Sequence, residues 1–549
     1  MVKYLTRVNC LTMLRRQPFA LLTAMAVAVA CLHGPALADT DLTGSVQAVL
    51  QNQNLNFTSD RTREFYAARN GAPVWWDGDG WTGHAMTAME TLQNASHEGL
   101  RPSDYPASEL TLAGASASQE TLATQDVLLT DSILSFIRHL KVGRIAPSEV
   151  DSDIHMAPPA FDAMAALEDG LQSTDFTAWI ASLAPDNKMY FLLRKALTEY
   201  RARVSKSEWP ILPEGKKFEP GSTDLRVRIL RRQLVLHGLL TADLFGGANF
   251  DEDVASAVKA FQERLGLDPD GIVGPITRQA LNVSNQDRIR QIELNMERAR
   301  WLSPDRLDRY VYVNLANFKL TAYDNDVPVL ESAIIIGRDA RKTPVFTDRI
   351  VNLVLAPTWT VTPTIARLDL LPKLKKDPSY LETKGIRVFS DWSANAVEID
   401  QTTIDWANMR PNAIPFKFRQ DPGPLNALGG VRFSLTNDFF IYLHDTPDRN
   451  LFTKSRRSFS SGCIRVKEVL ALAMFALNGD ENWPIDRVQK AMEGPESKVV
   501  KLASPLPVFI TYSTAWVDDS GLLQFRDDVY GRDRLLAEKL GLTSKPKEN

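Results

Sequence analysis

Apolar residues in this chain change their spacing once, near residue 305, and that switch constrains the fold more than any other feature. Before it they recur every three or four residues. Val254, Val258, Phe261 and Leu265 trace one stripe of a helix; Leu225, Ile229, Leu230 and Leu234 trace another. After it, RYVYVNLANFKLTAYD (309–324) alternates with period two and is rich in Val, Tyr and Phe, the pattern of paired strands. Helices gathered ahead of strands imply a multi-domain α+β chain. The 549 residues suffice for about three or four domains of roughly 150 residues each.

Residues 39–215 read as a helical scaffold. Ser59 is an N-cap candidate for a helix that Gly71 and Pro73 end, and long amphipathic runs follow at 120–143 and 188–204. His84, His97, His139 and His155 lack metal-ligand spacing, and Trp75 and Trp76 read as core aromatics. A Pro- and Gly-containing linker (ILPEGKKFEP, 211–220) precedes a compact three-helix unit at 221–283, where Pro275 opens the third helix. Residues 284–304 form a connecting helix that returns toward the N-terminal helices. The β-rich domain runs from 305 to 530, and a C-terminal helix and tail occupy 531–549.

The first 38 residues carry Lys3, Arg7, Arg15 and Arg16, no acid, and an apolar run from Phe19 to Leu32 that ends before Ala36-Leu37-Ala38. Basic start, short apolar run and small-residue site make a secretory signal peptide cleaved after Ala38. An uncleaved anchor and lipidation at Cys31 are the other readings. Export places the mature chain in the periplasm, free, membrane-associated or wall-associated. Removing the leader leaves 59 basic and 67 acidic residues, a net charge of −8 that argues against a nucleic-acid partner. It also removes Cys10 and Cys31 and leaves Cys463 alone. One thiol builds no internal disulfide and no cysteine-rich metal site. In an oxidising compartment a lone thiol is a liability unless buried or used.

Cys463 follows Ser460-Ser461-Gly462 and precedes a helix expected to begin near Lys467. Gly462 permits a tight turn. The backbone N–H groups of Ser461, Gly462 and Cys463 can then converge as an oxyanion hole. A neighbouring imidazole or arginine would lower the thiol pKa. His444 ends an expected strand and is the only histidine of the β domain, so it is the natural base. Arg456, Arg457 and Arg465 add positive potential, and Trp359, Tyr442, Arg457 and Arg465 are candidate substrate-binding residues.

His444, fifteen intervening residues, then Ser460-Ser461-Gly462-Cys463-Ile464-Arg465 resembles the signature of the L,D-transpeptidase (YkuD-like) catalytic domain. Small members of that family carry histidine where Ser461 stands; the large periplasmic members have Ser-Ser-Gly-Cys. APTWTVTPTIA, LPKLKKDPSYL and RQDPGPLNALG support the resemblance, and residues 358–430 correspond to an insertion that caps the substrate site in the large type. AVKAFQERLGLDPDGIVGPITRQAL resembles a peptidoglycan-binding domain, which implies wall targeting through glycan or peptide at 221–283.

The resemblance implies a chemistry. Cys463 attacks the diamino acid carbonyl of a stem tetrapeptide, D-alanine leaves with a proton from His444, and a thioester remains. The side-chain amine of a second stem then attacks, giving a 3→3 cross-link. The histidine is oriented by a backbone carbonyl, and no metal or cofactor is used. Stem peptides are donor and acceptor, cell-wall synthesis proteins are candidate partners, and carbapenems are expected to acylate the thiol. Water as acceptor would make an L,D-carboxypeptidase or endopeptidase. A non-catalytic wall-binding scaffold is the alternative outside enzymes. A zinc amidase needs more histidines than this domain has, and papain-like wall endopeptidases place Cys before His.

Overall fold

The computed structural model describes residues 40–52, 59–204, 209–241, 247–302 and 307–542. The leader, with Cys10, Cys31 and the expected cleavage point, lies outside the described residues, as do 543–549. Among the described residues no helix is long and apolar enough to cross a membrane.

Local chemistry builds the helical half. Ser59 accepts the Thr62 amide and caps the helix Asp60–Ala68. Ser118 does the same for the long helix Gln119–Val142. Trp75 and Trp76 are buried, as expected of core aromatics. Between them and the long helix sits a polar knot. The Asp126 carboxylate accepts the Val74 and Trp75 amides (3.0 and 2.8 Å) and the Tyr66 hydroxyl, and the Trp75 indole donates to Thr130.

The three-helix unit comprises Arg226–Leu236, Glu252–Arg264 and Pro275–Leu281. Val254, Val258, Phe261 and Leu265 are all buried, so the expected stripe packs inward. Leu225 does not. It is 72% exposed, because it is the capping residue ahead of the first helical turn; Val227, Leu230 and Leu234 form the inner stripe. The connecting helix Asn285–Arg300 packs on Lys188–Val204. Scaffold and three-helix unit share one continuous apolar core, which also takes in Ala515 and Phe525 from the far end of the chain.

The sheet begins inside the scaffold, with β1 (Ile154–His155). β2 (Arg309–Asn314) and β3 (Lys319–Asp324) are the expected strand pair, which β4 (Val327–Gly337) extends into a meander, and β5 (Val345–Leu355) follows. Residues 358–430 then leave this sheet. They contain β6 (Trp359–Thr360), β7 (Ile386–Phe389), β8 (Glu398–Ile399) and β9 (Lys417–Gln420), a separate four-stranded sheet around Leu370, Leu374, Val388, Trp406 and Phe418. The chain returns with β10 (Val431–Ser434), β11 (Leu443–His444), β12 (Ser458–Ser460), β13 (Ile464–Val466) and the long β14 (Lys498–Thr511).

The large sheet runs β5-β10-β11-β13-β4-β3-β2-β14 and closes on itself through β14–β5 pairing. β1 joins it parallel to β5, Ile154 opposite Val345, so scaffold and β domain share backbone hydrogen bonds. The helix expected near Lys467 starts later, at Val469. Cys463 therefore leads directly into β13, whose alternating Ile464 and Val466 bury one face in the sheet core.

Candidate active site

Three adjacent strands present one row of side chains. Arg432 on β10 stands opposite His444 on β11, and His444 stands opposite Arg465 on β13. The imidazole thus lies between two guanidinium-bearing positions. Its Nδ1 hydrogen bonds to the Asp445 carbonyl at 2.5 Å, so Nδ1 carries the proton and Nε2 is left as the base. The Asp445 carboxylate is engaged elsewhere, accepting the Gly430 amide (2.9 Å) and pairing with Arg449 (3.1 Å).

Cys463 occupies the turn between β12 and β13, both of which pair with β4. That turn is fixed from below by Thr343. Its hydroxyl donates to the Gly462 carbonyl (2.7 Å) and accepts the Gly337 amide (2.9 Å). Tyr530 holds the same corner, donating to the Gly337 carbonyl at 2.5 Å. At Gly337 a Cβ would fall 2.1 Å from the Arg341 carbonyl oxygen, so only glycine fits. Gly462 has φ +120°, a region open to glycine alone, and a Cβ there would press on Ile441. A Gly462→Ala chain is expected to lose about 1–3 kcal/mol at this turn and to acylate roughly ten- to hundred-fold more slowly. Stopped-flow measurement of Cys463 acylation checks it.

The candidate oxyanion amides are not equivalent. Gly462 N–H already donates to the Ser460 hydroxyl (3.2 Å), and that hydroxyl donates to the Cys463 carbonyl (2.6 Å). Ser461 and Cys463 are the remaining two of the three. The Ser461 hydroxyl accepts from Arg338 (3.1 Å), and Arg338 with Arg341 grips Asp369 of the 358–430 unit.

Electrostatics correct one expectation. Burial pushes the Cys463 thiol up to about 11, although Tyr442, Arg432 and Arg465 all favour the thiolate. Burial, with Arg465 and then Arg432 beside it, drives His444 down to about 3. The resting pair is a neutral thiol and a neutral imidazole, because desolvation outweighs the nearby cations. The thiol donates to the Phe440 carbonyl at 3.6 Å. Phe440 holds φ +57° and is 84% exposed, while the Asn437 side chain accepts the Phe439 and Ile441 amides and so shapes this loop.

Of the other candidates, Tyr442 packs edge-on against His444 (5.6 Å between centroids), and its hydroxyl feels the Cys463 thiol and the Trp359 side chain electrostatically. Burial raises the Tyr442 pKa strongly, keeping that hydroxyl a donor. Arg465 pairs with Asp448 at 3.4 Å. Arg457 is placed differently. Its guanidinium lies over Phe318 and donates to the carbonyls of Phe318, Ile334 and Lys454, so its visible work is bracing backbone. Sequence reasoning missed Arg432, Thr343 and Tyr530. Arg432 sits at an alternating position of β10, but which residues it opposes depends on register. Among the described residues no cluster of His, Cys, Asp and Glu has the arrangement of a metal site.

Residues 308–489 match the family described as "L,D-transpeptidase catalytic domain". Residues 60–197 match one described as "Scaffold domain", and 223–281 one described as "Putative peptidoglycan binding domain". A Haemophilus influenzae protein described as "Putative L,D-transpeptidase" is 34% identical over 252 residues, 46% of this chain and 50% of that protein. The match thus spans about half the length of that curated relative. Among solved structures, an L,D-transpeptidase from Xylanimonas cellulosilytica is 14% identical and covers 55% of this chain and 99% of its own, with a TM-score of 0.17. One from Stackebrandtia nassauensis is 12% identical, covers 55% and 96%, and has a TM-score of 0.21. The family match and the identity to the Haemophilus protein carry the assignment: this chain bears an L,D-transpeptidase catalytic domain of the YkuD family at residues 308–489, behind a helical scaffold and a peptidoglycan-binding-type unit.

Proposed function

We propose that this chain is a cysteine L,D-transpeptidase that makes 3→3 cross-links between peptidoglycan stem peptides through a thioester on Cys463. The observation that carries this reading is the placement of Cys463, the one free thiol among the described residues, at the turn leading into β13, beside β11, whose His444 has its Nδ1 fixed to a backbone carbonyl.

The thiol turns from the Phe440 carbonyl toward His444, and Nε2 takes its proton as Sγ bonds to the diamino acid carbonyl of the donor stem. The tetrahedral oxyanion is received by the Ser461 and Cys463 amides. Collapse breaks the peptide bond to D-alanine, whose nitrogen takes the proton from His444. The acceptor's side-chain amine then attacks the thioester, His444 removes a proton, and the thiol leaves as the new amide forms. Tyr442 supports the nascent thiolate with its hydroxyl. Periplasmic location, attachment to the wall through 221–283 and cooperation with wall-synthesis proteins belong to the same proposal.

Incubating the purified chain with disaccharide-tetrapeptide and separating the muropeptides tests it. Cross-linked dimers with released D-alanine are expected. Tripeptide alone would make the chain a hydrolase of the same fold, and unchanged substrate would make it a scaffold.

A further inference from the structure

We infer that Arg432 is the docking point for a substrate carboxylate beside the nucleophile. This deepens the proposed function and rests on it for the identity of the substrate as a stem peptide.

An unbalanced charge stands beside the nucleophile. Arg432 is half-buried on β10, in the same cross-strand row as His444 and Arg465. Arg465 has a carboxylate partner in Asp448. Among the described residues, Arg432 forms no ion pair with an acid. Its contacts are a long hydrogen bond from Nη2 to the Ser434 hydroxyl (3.4 Å) and a position 5.5 Å from the Tyr442 ring centroid. Its Nε is buried with no hydrogen-bond partner. A guanidinium nitrogen withdrawn from water and left without an acceptor is costly. A substrate anion relieves that cost and gains charge-assisted hydrogen bonds from a planar donor array.

The placement decides what the anion belongs to. The guanidinium stands close enough to Cys463, Tyr442 and His444 to act electrostatically on all three. A carboxylate held there belongs to the donor stem at the reacting carbonyl. Two sources share this chemistry: the terminal carboxylate of the departing D-alanine, and the free side-chain carboxylate of the diamino acid.

The test titrates three tetrapeptide donors onto the full chain carrying Cys463→Ala, so that binding is read without turnover. One donor has both carboxylates, one is a C-terminal amide, and one is amidated on the diamino acid side chain. Weakening of about ten- to hundred-fold is expected for one amide, and that amide identifies the source. In chains that also carry Arg432→Gln, the free and amidated donors should bind alike, with Arg432→Lys intermediate. Equal binding of all three donors by the Cys463→Ala chain overturns the proposal. So does an Arg432→Gln chain that weakens free and amidated donors by the same factor, since that is the mark of a purely structural residue. Wild-type chain that binds donors with this discrimination but yields neither dimer nor tripeptide refutes the proposed reaction and leaves the Arg432 site standing.

Discussion

A Cys463→Ala chain will take up no carbapenem, and its cross-linking will fall by roughly 10⁴-fold or more. No second cysteine exists among the described residues to replace the nucleophile. The expected loss is large because the proposed covalent route runs entirely through one atom, and the oxyanion amides alone would leave only a residual rate. Intact-protein mass before and after carbapenem exposure reads the adduct; an adduct persisting in Cys463→Ala would overturn the assignment. The pH behaviour follows from the same site. With the thiol pushed up to about 11, thiolate is scarce at neutral pH, and alkylation of Cys463 by iodoacetamide should rise about tenfold per pH unit toward 11. Enzymatic acylation should instead show no limb near pH 6.5, because His444 stays neutral down to about 3. A thiolate–imidazolium pair would behave the opposite way, with fast alkylation at neutral pH.

The second large effect lies far from the thiol in the chain. Glu297 and Arg300 on the connecting helix form a fully buried ion pair at 3.1 Å. Glu297 also accepts the Arg144 and Ile145 amides (2.5 and 3.2 Å), and Arg300 donates to the Glu98 carbonyl (2.5 Å) and lies over the Tyr190 ring. Glu297→Ala strips the anion from a buried guanidinium and leaves two half-buried amides without their acceptor. A loss of about 3–5 kcal/mol is expected, seen as a lower denaturation midpoint. Glu297→Gln keeps an acceptor for the amides and should lose less. Replacing Glu297 and Arg300 together by Leu and Met should recover part of the loss, because the unpaired charge is then gone.

Periodicity made the domain order legible. The stripe Val254–Leu265 and the strand pair from Arg309 each follow from spacing alone, and both lie where spacing put them. His444 and Cys463 were legible because their residue types are scarce. What stayed hidden depends on register and on distant chain. Arg432 faces His444 only because β10 and β11 pair at that offset. Thr343 supports the Gly462 carbonyl from 119 positions earlier in the sequence, and Tyr530 reaches the same corner from the far end of the domain. Charge near a nucleophile in sequence says nothing about direction; the Arg457 guanidinium turns to three backbone carbonyls. Desolvation of the thiol was equally invisible, since it is a property of the folded surroundings.

The short strand β1 has a consequence for reach. Because Ile154 and His155 are hydrogen-bonded into the edge of β5, and because the three-helix unit shares its core with the scaffold, the part that would grip the wall and the part that would cut and join it are not beads on a string. A tethered catalyst samples every acceptor within a sphere set by its linker. On the proposed function this chain would act as a caliper, with the span between grip and thiol set by packed side chains, so the spacing of neighbouring strands in the wall would become a selection rule for which stems can be joined.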